Sequence, residues 1–252
     1  MNYKISFCTT ILNRLQFFEQ QFQKNLSMLV DDIQWVIVDF GSTDGFVEFI
    51  KLQKLPANVS VIFSNCERWE TPHAKNVAHK IATGKVLFNL DCDNLITEEV
   101  IAACRKLQQN EIFHNWSEVF GDGTYGRIGI HKQSFLLLGG YDEEFLPTGC
   151  QDKDLLLRAQ AMEFKKIASR AKRTVSIQNS QQEKIQYIIN KNHSFESFIQ
   201  QQIKYSTRGI NWSSYESSNT MRMYHNLSCG KFIANTKREW GVCAPPSNSQ
   251  QL

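Results

Sequence analysis

Two carboxylates one residue apart, Asp91 and Asp93, close an apolar run from Val86 to Leu90. That run has the make-up of a buried parallel strand. In open α/β sheets ligands bind beyond the carboxyl ends of the strands, so the two acids stand where a site is expected. A hard divalent cation such as Mg²⁺ or Mn²⁺ takes oxygen ligands, and one or two carboxylates plus substrate phosphates commonly hold it. The two side chains need not point the same way. One can meet the metal while the other meets a sugar or ribose hydroxyl. Aspartates are also frequent turn formers, so the pair acquires meaning only from what surrounds it.

The surroundings are a strand-helix alternation. Residues 3–10 read as a first strand, followed by a helical pattern from Arg14 to Leu29 with Leu15, Phe18, Phe22, Leu26 and Leu29 on one face. Gln34 to Asp39 is a second buried strand ending in the turn cluster Phe40-Gly41-Ser42-Thr43-Asp44-Gly45, which can cap the next helix. Val59 to Ser64 is a third strand. Thr71-Pro72 opens a helix, with Thr71 as N-cap, and Gly84 closes it. The fourth strand delivers Asp91 and Asp93, and Thr97-Glu98-Glu99 begins a helix with acids at its positive end. Four strands alternating with helices predict a βαβ-type, mostly parallel sheet.

The second half changes character. Residues 121–132 are glycine-rich with short strand-like pieces, Gly139-Gly140-Tyr141-Asp142-Glu143 is a turn, and Gln151-Asp152-Lys153-Asp154 leads into an apolar helix over 152–162. Residues 179–207 show helical spacing rich in Gln, Lys and Asn, and the tail after Trp240 has the composition of a disordered end. The expected organisation is one domain over 1–240, with halves 1–110 and 111–240, and a disordered 241–252.

Composition bounds the function. The chain has 252 residues, 42% hydrophobic and 21% charged, the make-up of a soluble globular domain. A net charge of +3 suits a phosphorylated substrate without being a nucleic-acid signature. Seven cysteines without a Cys-x-x-Cys pair argue against a disulfide framework or structural zinc and for a reducing compartment. The N-terminus reads as a strand rather than a leader, and no run approaches a membrane span. A cytoplasmic protein is expected, with peripheral attachment to a membrane surface left open.

Five stretches in order resemble inverting glycosyltransferases of family 2, which have the nucleotide-diphospho-sugar (GT-A) fold. They are Ser6 to Arg14, Val38 to Asp44, His73-Ala74-Lys75-Asn76, Leu90-Asp91-Cys92-Asp93, and Gly139-Gly140-Tyr141-Asp142 leading to Gln151-Asp152-Lys153-Asp154-Leu155. The C-terminal part resembles that of β-1,4-galactosyltransferases. The resemblance implies a Rossmann-like α/β sheet flanked by helices, a nucleoside-diphosphate-sugar donor and Mn²⁺ or Mg²⁺. By the same resemblance Asp93 is the direct metal ligand, and Asp91 contacts the ribose or the metal through water. A histidine completes the set, His225 ahead of His193.

The general base of an inverting transfer takes the acceptor hydroxyl proton. Asp152 falls on the family's base, with Gly140, Tyr141, Gln151 and Asp154 toward the acceptor. A helix N-terminus would hold the Asp152 pKa low, and an apolar pocket would oppose this. Alternatively Asp152 and Asp154 simply cap their helix. Thr10, Asn13, Arg14, Asp39, Phe40, His73, Lys75 and Asn76 are the further donor-binding candidates. Lys75 could reach the diphosphate or be a solvated helix lysine. Arg14 could meet the nucleotide or pair with Asp44.

Two departures from the pattern stand out. Gln151 replaces the usual Glu, and Phe40 replaces the acid that reads a uracil, so a uridine donor follows from family habit only. Phe40 could equally be core. The expected acceptor is a hydroxyl of a glycan or glycoconjugate. Lys165-Lys166 and Arg170-Ala171-Lys172-Arg173 form a basic cluster that is a solvated face or a site for a phosphate-rich acceptor at a membrane surface. A nucleic-acid or peptide acceptor, or a non-catalytic nucleotide-sugar-binding protein, are the alternatives.

Overall fold

The computed structural model describes residues 3–64, 66, 69–178 and 212–243. The first half runs β1 (Ile5–Ile11), α1 (Leu15–Ser27), β2 (Ile33–Asp39), α2 (Phe46–Lys51), β3 (Val59–Phe63), α3 (Thr71–Ile81), β4 (Val86–Asn89) and α4 (Glu98–Lys106). The second runs β5 (Glu111–Trp116), β6 (Ile128–His131), α5 (Lys132–Leu137), α6 (Gln151–Ala161), β7 (Lys165–Arg170), a 3-10 turn (Arg173–Val175) and α7 (Trp212–Ser228). The strands form a seven-stranded sheet in the order β3-β2-β1-β4-β6-β5-β7. Within it β6 alone runs antiparallel to its neighbours. The mostly parallel α/β architecture expected from the sequence is what the chain adopts.

Strand residues alternate between the faces, so a near-continuous apolar run feeds two cores. Trp35 and Ile37 join Phe7, Phe18, Phe22 and Phe88 on one face. Val36 and Val38 join Cys8, Leu87, Phe135 and Leu155 on the other. The Phe18 and Phe22 rings lie 5.7 and 5.8 Å from the Trp35 ring, which fixes α1 on the sheet.

Local boundaries shift where a side chain finds a better partner. Asp44 does not cap α2, which starts after Gly45 in a left-handed conformation. Instead its Oδ2 accepts from the Leu15 backbone N–H at 2.7 Å and so begins α1. Thr71 is the first residue of α3 and Glu70 its N-cap, one position earlier than the motif suggests. Thr97 does cap α4, accepting from the Val100 N–H at 3.3 Å. Gly84 lies beyond the end of α3, and a Cβ there would stand 2.6 Å from the Ser6 backbone nitrogen. A side chain at 84 would therefore push β4 off β1.

The expectation of a disordered tail from residue 241 is corrected in part. Gly241 donates its N–H to Glu143 Oε1 at 2.8 Å, and Cys243 sits beside Ser64. The helices expected over 179–207, and His193 with them, lie outside the described residues. The basic cluster falls on and after β7, the sheet edge. There Lys165 pairs with Glu111, Arg170 with Glu118, and Arg173 with Asp122 at 3.6–3.8 Å. Exposed charge on an edge strand discourages pairing with another sheet, which favours the solvated-face reading. Among the described residues no helix is long and apolar enough to cross a membrane.

Candidate active site

A cavity of about 390 Å³ opens beyond the carboxyl ends of β1 and β4. Its floor carries Asp91 and Asp93, and the first turn of α6 brings Gln151 and Asp152 to the same space. The two acidic stretches, far apart in the chain, thus share one chamber. Between them stands Lys75 of α3. Its Nζ is 2.8 Å from Asp152 Oδ1 and 3.6 Å from Asp91 Oδ1. Gly126 closes the gap from the other side: a Cβ there would lie 2.8 Å from Asp91 Oδ2 and 3.2 Å from Asp152 Oδ2.

The electrostatics of this trio follow from burial. The Lys75 side chain is 3% exposed, yet the charges of Asp152 and Asp91 outweigh the burial and raise its pKa, so it is a held ammonium. Burial pushes the Asp152 carboxyl above the ordinary carboxylate value. Lys75 opposes that rise and Asp91 adds to it. Of the two opposing effects expected there, burial outweighs the helix N-terminus. Tyr125, on the cavity wall, is pushed up to about 12 by burial and by the Asp152 charge.

Asp93 is held from below. Asn94 donates Nδ2–H to Asp93 Oδ1 at 2.7 Å and to the Gly123 carbonyl at 3.1 Å. Buried Arg127 donates in turn to Asn94 Oδ1 at 3.1 Å, Leu95 O at 2.9 Å and Asn115 Oδ1 at 2.8 Å. The stretch after the 3-10 turn straps the same region. The Ile177 N–H donates to Asp93 O at 2.9 Å, and Gln178 Nε2–H donates to Asp122 O at 2.9 Å.

Of the donor-binding candidates, Thr10 and Arg14 line the cavity with Lys75 and Asp91. Arg14 is 7% exposed, its guanidinium lies 4.1 Å over the Phe17 ring, and neither Nη atom has a hydrogen-bond partner. The expected alternative, pairing with Asp44, does not occur. The other candidates lie in the walls behind. Asn13 accepts from Thr43 N–H at 2.7 Å, and Asp39 accepts from the Gly41 and Ser42 N–H groups. Phe40 is fully buried and supports Trp69, ring to ring at 5.3 Å, and Trp69 faces the cavity. His73 pairs with Glu143 at 3.2 Å.

The acceptor candidates divide as well. Asn76, expected on the donor, clamps Tyr141 on both backbone groups at 2.8 Å. Tyr141 itself is fully buried, and Gly140 has φ of +68° with Asn76 and Trp240 against it. Asp154 is 0% exposed and pairs with Arg158 at 2.7 Å, whose guanidinium also holds the Leu138 and Gly140 carbonyls. None of the three lines the cavity, which corrects that expectation: Asp154 and Gly140 build the fold, and the Tyr141 ring lies behind the trio, 5.4 Å from Lys75 Nζ. His225 is exposed on α7 beside Cys229, on a different face from Glu216 and Thr220, and does not reach the cavity. Sequence reasoning missed Glu216, Thr220, Tyr125, Phe120 and Trp69, all of which line it. The four-residue spacing of Glu216 and Thr220 was the available signal.

Residues 6–126 match the model of glycosyl transferase family 2. The protein is a glycosyltransferase. Solved structures of similar fold include the mannosyltransferase PcManGT from Pyrobaculum calidifontis in complex with GDP-Man and Mn²⁺ (15% identity, TM-score 0.57). That likeness covers 92% of this chain and 72% of that one. Staphylococcus aureus TarS in complex with UDP matches at 13% identity and TM-score 0.55, over 77% of this chain and 72% of that one. Glucosyl-3-phosphoglycerate synthase from Mycobacterium tuberculosis, in complex with Mn²⁺, UDP and glucosyl-3-phosphoglycerate, matches at 14% and 0.52, over 76% and 79%. Identities this low carry the fold alone, and it is the GT-A fold. No curated protein matches the sequence significantly. The family match of this glycosyltransferase ends at residue 126, ahead of the C-terminal motifs that resemble β-1,4-galactosyltransferases.

Proposed function

We propose that this glycosyltransferase is a metal-dependent, inverting enzyme that moves a sugar from a nucleoside diphosphate to a hydroxyl of a glycan or glycoconjugate. The observation that carries the reading is the single cavity into which Asp91, Asp93 and Asp152 all open, with Lys75 between two of them. A divalent cation fits the donor set. Asp91 and Asp93 offer hard oxygens on one wall. Among the described residues no three His, Cys, Asp or Glu side chains gather to hold a metal unaided, so donor phosphates would complete its shell. Mn²⁺ or Mg²⁺ bound there would supply Lewis-acid stabilisation of the departing diphosphate.

The chain's own residues supply the rest. Arg14, a buried cation whose Nη atoms lack partners, suits an anionic donor group, because burying an unpaired charge is costly and a phosphate would offset that cost. Trp69 offers an aromatic face to the base, the role that Phe40 cannot take from the core. UDP stays the favoured nucleotide on family habit. Asp152 is the base: its carboxylate, kept ionised by Lys75 and made more basic by burial, takes the acceptor hydroxyl proton. Phe120 is 79% exposed and stacks on Tyr125 at 5.8 Å, an apolar surface at the cavity mouth suited to a sugar ring.

The test is a hydrolysis screen of UDP- and GDP-sugars with Mn²⁺, with Mg²⁺ and with a chelator. Release of nucleoside diphosphate from one donor class, lost on chelation and restored by Mn²⁺, is the expected result. Undiminished release in the chelator overturns metal dependence.

A further inference from the structure

Two cysteines meet outside the cavity. Cys66 follows β3 and Cys243 follows Trp240, and their Sγ atoms are 3.1 Å apart, both thiols free and half-buried. The meeting is built rather than incidental. Lys80 Nζ–H donates to the Trp240 carbonyl at 2.7 Å and lies 4.8 Å over its ring, and Gly241 is tied to Glu143. Ser64 Oγ lies 2.7 Å from Cys243 Sγ and accepts the Cys66 N–H at 3.1 Å. On the other side of Cys66 stands His73, Nε2 at 3.7 Å, with Glu143 behind its Nδ1 at 3.2 Å.

A carboxylate behind an imidazole and a thiol in front is an arrangement that generates thiolate. Burial works against a charged ring at 73, but Cys66 and Glu143 outweigh it and lift His73 to about 9. The His73 contact, with Ser64 and Cys243, draws the Cys66 thiol down to about 7 against burial. Fully buried Cys104, by contrast, is pushed up to about 12.

We propose that Cys66 and Cys243 are a redox pair whose reversible disulfide ties the β3–α3 loop to the C-terminal segment. That loop carries Trp69 into the cavity and leads to Thr71 at the start of α3, which also lines it, so the cross-link would fix one wall. With a low-molecular-weight disulfide as oxidant, the Cys66 thiolate attacks one of its sulfurs, the oxidant's S–S bond breaks, and one thiolate leaves. Cys243 then gives up its proton and attacks the Cys66 sulfur, expelling the second thiolate. The protein loses two electrons and two protons, and the oxidant becomes two thiols. A disulfide is about 2.05 Å long, so a small side-chain movement closes it.

The test equilibrates the full chain in glutathione buffers of graded oxidised-to-reduced ratio, quenches with N-ethylmaleimide and maps peptides by mass. The peptides of Cys66 and Cys243 should leave the alkylated pool together with one midpoint and appear as one linked species. In Cys243→Ser, Cys66 should carry glutathione over the same range. In His73→Gln, maleimide should label Cys66 about 10-fold more slowly at pH 7, through loss of thiolate. Both cysteines staying alkylated at full oxidation, or pairing elsewhere, overturns the proposal in the wild-type chain alone. An unchanged labelling rate in His73→Gln overturns the part given to the imidazole.

Discussion

Lys75 is the side chain on which the chemistry of the cavity turns. A lysine on the second turn of α3 could have been a solvated residue or a hand for the diphosphate. Its 2.8 Å contact with Asp152 makes it the counter-charge of the proposed base. Only the ionised carboxylate can take a proton, so turnover should fall as pH drops through the Asp152 pKa. Burial has raised that value and Lys75 holds it down. Lys75→Met removes the cation, so the acidic limb of the pH profile should move to higher pH by about one unit or more, a tenfold loss on that limb. A profile that keeps its limb would separate Lys75 from Asp152. The same change takes the counter-charge from the largely buried Asp152 carboxylate, and urea denaturation should register a loss of roughly 3 kcal/mol.

Among the elements, the loop after β4 owes its shape to partners from distant segments. Asp93 receives a hydrogen bond from Asn94, which Arg127 and the Gly123 carbonyl hold in place. Removing a group that orients a ligand typically lowers metal affinity by about 10–100-fold. Asn94→Ala should raise the Mn²⁺ concentration for half-maximal activity by that factor, whereas an unchanged Mn²⁺ requirement would contradict the positioning role. Gly126 tests the neighbouring wall. Its missing Cβ is the space between Asp91 and Asp152, so Gly126→Ala should reduce turnover at least about 10-fold through displaced carboxylates. A fully active variant would mean that the two acids do not need their present separation.

The sequence made Asp91, Asp93 and Asp152 legible because each ends or begins an element with a clear hydrophobic period, and chain order supplied their neighbours. It could not reveal that Lys75 joins Asp91 to Asp152, since three segments must converge before that contact exists. Arg127 reads as an ordinary surface arginine until the fold buries it under Asn94. His225 misled because α7 has a weak apolar stripe, so nothing local said which face turns inward. Asn76 and Asp154 sit in family motifs but serve packing and buried pairing. A motif records that a residue type is needed, without saying whether the need is chemical or structural.

Across the molecule, the strand ends of a mostly parallel sheet supply one side of the cavity, while α6 and α7 supply the other. A ligand spanning both should stabilise the fold as a unit. UDP with Mn²⁺ at about 100 times its Kd would add about 2.7 kcal/mol, a Tm rise of roughly 5–10 °C for a chain of this size. UDP with a chelator should give a much smaller shift, and equal shifts would deny the metal a part in donor binding.

In the proposed mechanism the group readying the acceptor is a different side chain from those holding the donor, within one chamber. Nucleotide-sugar binding and sugar transfer, compared in Asp152→Asn, separate the two roles. The variant should keep a donor Kd within about threefold of the wild type in Mn²⁺, with transfer reduced at least about 100-fold. Transfer at a wild-type rate would contradict the mechanism.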